Sequence, residues 1–265
     1  MTRMKLLGAV ATWALFLWTS ASQAQSGNPD VYWHINPSVR TCSMVIDRSL
    51  TQDQWHSFTR QVGALSSFKP LASAKTLGRT NLYVAIDYAS TPVNQHDPAW
   101  INTFVHPDAN CPLGDAIAVP TVRARLGVSD HMDVGGFWTT APGANYGLLG
   151  GEVKYAFLPE SKGSPAAAIR ASVTTLTGVP DFNMNIFSID ALASKEVANL
   201  APYLGIRTSL AVGTETTSKV DLYTERVSIA QGYVGATCSL WAFNLAAEYD
   251  VSTVNTFALA IGHKF

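Results

Sequence analysis

Charged residues are scarce in this sequence. Asp, Glu, Lys and Arg make up 14% of its 265 residues, against roughly 25% in ordinary globular domains. Neither sign dominates, because 18 basic side chains stand against 19 acidic ones. We therefore expect no nucleic-acid partner. The composition favours a protein that presents apolar surface to something other than water.

Long hydrophobic runs are absent after the first segment. The run from Leu6 to Trp18 is shorter than the roughly 20 residues that a membrane-spanning helix needs. Arg3 and Lys5 precede it, and small and polar residues ending at Ala24 follow it. This is the layout of a secretory signal peptide, so we predict that residues 1–24 are removed and that the mature chain is exported without a helical anchor.

Cysteine is rare and forms no metal-binding pattern. Cys42, Cys111 and Cys238 include no Cys-x-x-Cys spacing, so we expect neither a metal nor another cofactor. In an oxidising compartment, three cysteines are expected to give one disulfide and one free thiol. The sequence alone allows three pairings.

Motifs for catalysis are missing as well. No Gly-x-Ser-x-Gly is present, and no serine has an evident His and acid partner. His96-Asp97 and His106-Pro107-Asp108 could activate water or bind a metal, but histidines are common in polar loops. We therefore predict that the protein is not an enzyme.

A helix is predicted before residue 80. Thr51 and Gln54 form a capping box, and a helix over about 52–65 follows it. We interpret residues 25–79 as a periplasmic segment whose helix leans on the base of the fold. A plug or a partner-binding helix is the alternative. The apolar positions of the helix form one narrow stripe: Trp55, Phe58, Val62 and Leu65.

From residue 80 onward the pattern changes to short runs in which apolar and polar residues alternate, which predicts strands. Most are close to the roughly ten residues of a tilted membrane-spanning strand and longer than the usual five or six of a globular one. We predict ten strands: 81–88, 120–128, 132–140, 147–158, 166–176, 182–195, 202–214, 230–240, 241–251 and 255–265.

The strands have one apolar face and one face that combines small residues with charges. Pattern alone does not say which face points inward, because a soluble lipocalin-like barrel around a hydrophobic ligand would have the apolar face inside. With the opposite sense, eleven charged residues would line a lumen: Asp87, Arg123, Arg125, Asp133, Glu152, Lys154, Arg170, Asp190, Arg207, Glu248 and Lys264. These charges nearly balance, so we expect them mainly to pair with one another.

Two observations favour the membrane sense. Aromatic residues cluster toward the strand ends, as in the girdles of membrane interfaces. In addition, if the last strand ends in the periplasm, the two longest connections, 89–119 and 215–229, both become extracellular. Outer-membrane barrels keep their long loops on that side. Cys42 and Cys238 then share the periplasmic side and are the candidate disulfide pair.

The whole pattern resembles the transmembrane β-barrels of the Gram-negative outer membrane, over residues 1–24 and about 80–265. The resemblance implies an all-β fold, a closed antiparallel barrel of about ten strands, in contact with outer-membrane lipid. Phe257, Leu259, Ile261 and Phe265 alternate up to the last residue. They look like the signal by which the barrel-assembly machinery takes up its substrates.

A narrow barrel with a self-paired lumen predicts a structural protein or a narrow passive channel. Adhesive or binding extracellular loops are an alternative. The first long loop contains Trp100 and Phe104, which is more than a passive connection needs.

Overall fold

The computed structural model describes residues 43–105, 115–140, 144–161 and 164–265. Ten strands form one closed barrel, and each neighbouring pair is antiparallel. Two further strands, β1 (Ser43–Met44) and β3 (Phe104–Val105), pair only with each other. The barrel strands are β2 (Leu82–Pro92), β4 (Ala116–Gly127), β5 (Met132–Thr140), β6 (Gly147–Leu158), β7 (Ala166–Thr177), β8 (Phe182–Ser194), β9 (Leu200–Glu215), β10 (Glu225–Leu240), β11 (Phe243–Val251) and β12 (Thr256–Lys264).

The first and last barrel strands close the ring. β12 pairs with β2, and Leu82 and Phe265 exchange two backbone hydrogen bonds of 3.3 and 2.7 Å. Closure leaves no open sheet edge, and an open edge is what a bilayer core cannot accommodate. The predicted closed barrel of ten antiparallel strands is confirmed.

The barrel has two unequal ends. The Phe265 end is the one where β2 begins and β12 ends, and its turns are short, as between Gly127 and Met132 or between Leu240 and Phe243. The opposite end, here called the loop end, carries the longer connections 93–115 and 216–224. The loop end therefore corresponds to the predicted extracellular side.

The described part of the chain contains two helices, α1 (Gln52–Ser66) and α2 (Pro98–Ile101). The predicted capping box is present, because the Gln54 amide donates to Thr51 Oγ1 at 3.4 Å and the Thr51 amide donates to Gln54 Oε1 at 3.1 Å. Neither helix is long and apolar enough to cross a membrane.

The predicted position of the helix at the periplasmic base is wrong. α1 packs on the inner face of β8, β9 and β10 at the loop end. There Gln52 donates to the carbonyl of Tyr223, and Trp100 donates to Gln61. An apolar stripe predicts that a helix is buried, but it does not identify the surface that buries it.

After α1, the chain descends inside the barrel to the start of β2. We call residues 67–77 the lumen segment. Near its lower end, the Leu77 amide donates to Asp133 Oδ1 at 3.0 Å, and Thr76 Oγ1 donates to the carbonyl of Asp130 at 2.8 Å. Both partners lie at the Phe265 end. Residues 43–77 thus run through the barrel from one end to the other.

Candidate functional site: the filled lumen

The outer surface of the barrel is apolar. Large hydrophobic side chains project outward along the strands, and Ile206 and Ile189 are 69% and 68% exposed. A belt of this size is unfavourable in water and matches the lipid-facing band of a membrane barrel. The charged faces point inward, opposite to the sense of a lipocalin-like barrel.

At the loop end the two faces of the strands exchange polarity, so that apolar residues point inward and polar residues point outward. In β8, Phe182, Met184 and Ile186 point inward, while Asn183 lies outward and is exposed. In β10, Val227 and Ile229 are buried inside, while Arg226 and Ser228 are exposed outside. The upper parts of these strands therefore stand above the apolar belt, and their inner faces serve as a core. The pattern with apolar residues outward starts only near residue 230. The predicted start of β10 therefore missed the residues from Glu225 onward.

An apolar core closes the loop end, and we call it the cap. Trp55 and Phe58 of α1 lie edge-on to Phe182 of β8, with ring centroids 5.2 and 5.7 Å apart. Trp100 of α2 packs on Phe58 at 5.1 Å. Tyr146 joins the same cluster, and burial raises the pKa of its hydroxyl to about 12. The cap resembles the core of a small soluble domain seated in the barrel mouth.

The segment before α1 is bonded to the loops around it. Asn145 accepts from the Met44 amide and donates to the Met44 carbonyl, both at 2.8 Å. Asp181 Oδ2 accepts from the Ile46 amide at 2.9 Å. These contacts join the start of the described chain to the β5–β6 and β7–β8 connections, and they hold the cap over the lumen.

A glycine lies where helix α1 packs against the wall. A Cβ atom built on Gly63 would lie 2.5 Å from the Ala211 Cβ and 2.7 Å from the Ile229 Cδ1. These distances are shorter than any real carbon contact, so only glycine lets the helix rest on β9 and β10 at this height.

Below the cap, arginines of the wall bind the lumen segment. An irregular segment at membrane depth must have its backbone carbonyls satisfied by protein groups. Three arginines supply such hydrogen bonds to carbonyls, and a fourth binds a side-chain hydroxyl of the segment. The pairs are Arg123 with the Lys69 carbonyl at 2.6 Å, Arg170 with the Phe68 carbonyl at 2.6 Å, Arg207 with the Ser67 hydroxyl at 3.0 Å, and Arg125 with the Pro70 carbonyl.

The same arginines pair with carboxylates of the wall. Because one guanidinium carries five N–H donors in a planar fork, it can bind a carboxylate and a carbonyl together. The ion pairs are Arg123–Asp87 at 2.6 Å, Arg125–Glu152 at 2.6 Å, Arg170–Glu152 and Arg170–Asp190 at 2.9 Å each, Arg207–Asp190 at 2.7 Å, Arg207–Asp250 at 3.1 Å and Lys154–Asp133 at 3.0 Å.

Amides of the lumen segment bind acceptors on the wall in turn. The Leu71 amide donates to Glu248 Oε2 at 2.9 Å, and the same oxygen accepts from the Tyr203 hydroxyl at 2.7 Å. The Ala74 amide donates to Ser194 Oγ at 3.0 Å. The barrel therefore supplies both donors and acceptors to the lumen segment.

Aromatic contacts reinforce the middle of the lumen segment. The guanidinium groups of Arg123 and Arg170 lie 4.7 and 5.3 Å from the centroid of the Phe68 ring. Phe137 meets the same ring edge-on, with centroids 4.6 Å apart. Cation–π contacts of this kind are stronger away from water, so Phe68 holds the segment between two charged side chains.

The structure places ten of the eleven predicted lumen residues inside the barrel, each less than 10% exposed. Lys264 differs, because it is exposed at the Phe265 end, where its Nζ donates to the Leu77 carbonyl at 2.8 Å.

Sequence reasoning missed two of the charges buried in the lumen, Asp250 and Lys69. Asp250 could have been found, because it alternates with the outward Tyr249 and Val251. Lys69 gave no such signal, since it lies in an irregular segment. Its Nζ donates to the Ala64 and Leu65 carbonyls at the end of α1, at 3.1 and 3.4 Å. The buried lumen charges then number six basic and six acidic: Lys69, Arg123, Arg125, Lys154, Arg170 and Arg207 against Asp87, Asp133, Glu152, Asp190, Glu248 and Asp250.

The residues of the predicted assembly signal face outward. Phe257, Leu259, Ile261 and Phe265 are between 42% and 49% exposed. His263 interrupts this run, and its ring lies 4.4 Å from that of Phe265. An aromatic ring with a polar edge suits the membrane interface.

Two groups of candidate residues fall partly outside the described ranges. Cys42 and Cys111 lie outside these ranges, so the disulfide predicted between Cys42 and Cys238 stays a prediction. His106 and Asp108 also lie outside these ranges. Both members of the other pair are described: the His96 amide donates to Asn94 at 3.1 Å, and Asp97 caps α2 and accepts from Gln61 at 3.2 Å. Among the described residues, no cluster of His, Cys, Asp and Glu could hold a metal ion.

No family model and no curated protein matches the chain. Among solved structures, it is similar to an outer-membrane channel from Pseudomonas putida F1, with a TM-score of 0.36 and 11% identity over 75% of this chain and 100% of that one. The N-terminal β-barrel domain of Pseudomonas aeruginosa OprF gives 0.33 and 11% over 71% and 99%. The Yersinia pestis attachment invasion locus protein Ail gives 0.31 and 12% over 71% and 99%.

The class of the protein follows from its own strands and surface. A closed antiparallel barrel with an apolar belt outside and paired charges inside is a transmembrane β-barrel, of the kind found in Gram-negative outer membranes. Within that class, this chain has a lumen occupied by its own α1 and residues 67–77.

Proposed function

We propose that the protein is a structural outer-membrane barrel that its own N-terminal region holds closed, and that it carries the folded cap on the cell surface without conducting solutes. The observation that supports this most is the double bonding of the wall arginines. Each of Arg123, Arg125, Arg170 and Arg207 binds a wall carboxylate and the lumen segment together.

Two different seals stand in series. The cap excludes water with aromatic rings, and the ionic layer beneath it joins the lumen segment to the wall with paired charges. Withdrawing the lumen segment would leave arginine N–H groups and several carbonyls without partners, each at a cost of about 1 to 3 kcal/mol. A segment with this many contacts is a fixed part of the structure.

Expected partners fit the same proposal. The apolar belt would contact outer-membrane lipid, and the outward alternation of Phe257, Leu259 and Ile261 would serve recognition by the barrel-assembly machinery. Catalysis has no part in the proposal. An adhesive role for the first loop loses its main support, because Trp100 and Phe104 are 0% and 3% exposed in the cap and are not available to a partner.

Conductance of the purified protein in planar lipid bilayers tests the proposal. We expect no stepwise currents at any applied voltage that the bilayer survives, with insertion verified by recovery of the protein from the same lipid. A large porin in the same bilayers is the positive control. Stepwise currents from the unmodified protein would contradict the proposal.

A further inference from the structure

The helix fills one side of the lumen and leaves two cavities near the other. A cavity of about 220 Å³ lies at the Phe265 end, between the lumen segment and the wall. Its lining includes Lys75 and Lys264, which are exposed, so it is open to solvent. A second cavity of about 60 Å³ lies nearer the cap and is lined by Asp87, Ala89 and Thr121.

Both cavities have room and partners for water. A cavity of about 10 to 15 Å³ is large enough to hold one water molecule. Asp87 Oδ1 in the upper cavity is buried and has no hydrogen-bond partner among the described residues, which leaves water as the partner within reach. Ala89 and Thr121 are only half-buried, so the upper cavity is not isolated.

Leu71 is the described residue that lines both cavities. Its side chain is 3% exposed and packs on Ala246, Ala258 and Ala260 of β11 and β12. Methyl groups on a hydrogen-bonded barrel wall cannot move inward to replace a missing leucine, so its removal would leave a cavity.

The backbone of Leu71 is held in place from both sides. Its amide donates to Glu248, and the Pro70 carbonyl before it accepts from Arg123 at 3.2 Å. Its φ of 45° lies in the left-handed region, which a leucine rarely adopts. These contacts therefore hold Leu71 between the two cavities in a backbone conformation that leucine disfavours.

We infer that Leu71 is the constriction of a latent passage for water and monovalent ions along the alanine-lined wall of β11, β12 and β2. The inference rests on the proposal that the unmodified barrel is closed. The linings of the two cavities hold six basic residues against two acidic ones, so the passage would favour small anions over small cations. Larger solutes would be excluded by the fixed lumen segment.

Replacing Leu71 tests the inference in the full-length protein. Leu71→Gly removes the side chain and also suits the left-handed backbone, and Leu71→Ala is the second variant. We expect both to give small stepwise currents in planar bilayers and to release an ion gradient from liposomes, where the unmodified protein does neither. Leu77→Ala is the matched control, because Leu77 lines only the larger cavity, and it should stay silent.

The outcomes separate the two proposals. Folded Leu71→Gly protein that stays silent and keeps liposomes tight overturns the passage but leaves the closed barrel standing. Currents from the unmodified protein overturn the closed barrel itself. Failure of both Leu71 variants to fold would also overturn the inference, because it would give Leu71 a structural role in place of a space-filling one.

Discussion

At the residue scale, Arg170 shows how the lumen is held together. It pairs with Glu152 and Asp190, donates to the Phe68 carbonyl and lies over the Phe68 ring. Replacement by methionine would leave two buried carboxylates short of a cation. We expect Arg170→Met to lower the free energy of unfolding by about 3 to 5 kcal/mol, as for other broken buried ion pairs. Urea unfolding in lipid vesicles measures it.

The matched control is Arg226→Met, because Arg226 is exposed on the outward face of β10. Its effect should stay within about 0.5 kcal/mol. Equal effects at the two positions would show that the lumen arginines do not support the fold.

The sequence predicts much of the charge arrangement at this scale and little of its contacts. Alternation places Arg123, Asp190 and Glu248 on the inner face, because one residue step moves a side chain to the other side of a strand. It cannot show that a backbone carbonyl at Phe68 or Lys69 accepts from these arginines, since no periodic pattern marks an irregular segment.

At the element scale, the packing of α1 on the barrel wall depends on one glycine, Gly63. We expect Gly63→Val to push the helix away from Ala211 and Ile229 while the barrel stays closed. Trypsin should then cleave sooner after Arg60, which is exposed on the helix, and the barrel fragment should remain resistant. Cleavage rates followed by mass spectrometry of the fragments measure the change.

Gly232→Val is the control, because a Cβ atom at Gly232 would meet nothing within 4 Å. Unchanged cleavage in both variants would mean that α1 is not seated where the structure places it. The capping box is local and could be predicted, whereas the contact at Gly63 depends on Ala211 and Ile229, which are 148 and 166 positions away along the chain.

At the scale of the whole molecule, the sense of the barrel determines its environment. The apolar belt predicts that Ile206→Arg, in the middle of β9, costs about 2 to 4 kcal/mol of stability in a bilayer. Ser228→Arg, where the alternation has already reversed, should cost about 0 to 1 kcal/mol. Both are measured by reversible unfolding in vesicles, and a similar cost at both positions would contradict the assigned belt.

The number of strands was predictable at this scale because lipid imposes one continuous apolar face, and the sense of the barrel was predictable from the aromatic strand ends and the long loops. The strand ends at the loop end could not be predicted, because Val227 and Ile229 face inward there and follow the pattern of a soluble core. The position of α1 depends on the same exchange of polarity, because the apolar inner faces of β8, β9 and β10 at the loop end form the surface on which α1 packs.

The central claim is that residues 67–77 run through the lumen, and a disulfide tests it most directly. In a background with the three native cysteines replaced by serine, Ala74→Cys and Ser194→Cys would join the lumen segment to β8, because the Ala74 amide lies 3.0 Å from Ser194 Oγ. The control pair is Ala74→Cys with Ser228→Cys on the outer face. We expect the first pair to crosslink in folded protein in the membrane and the control pair not to. No crosslink in the folded first pair would contradict the account.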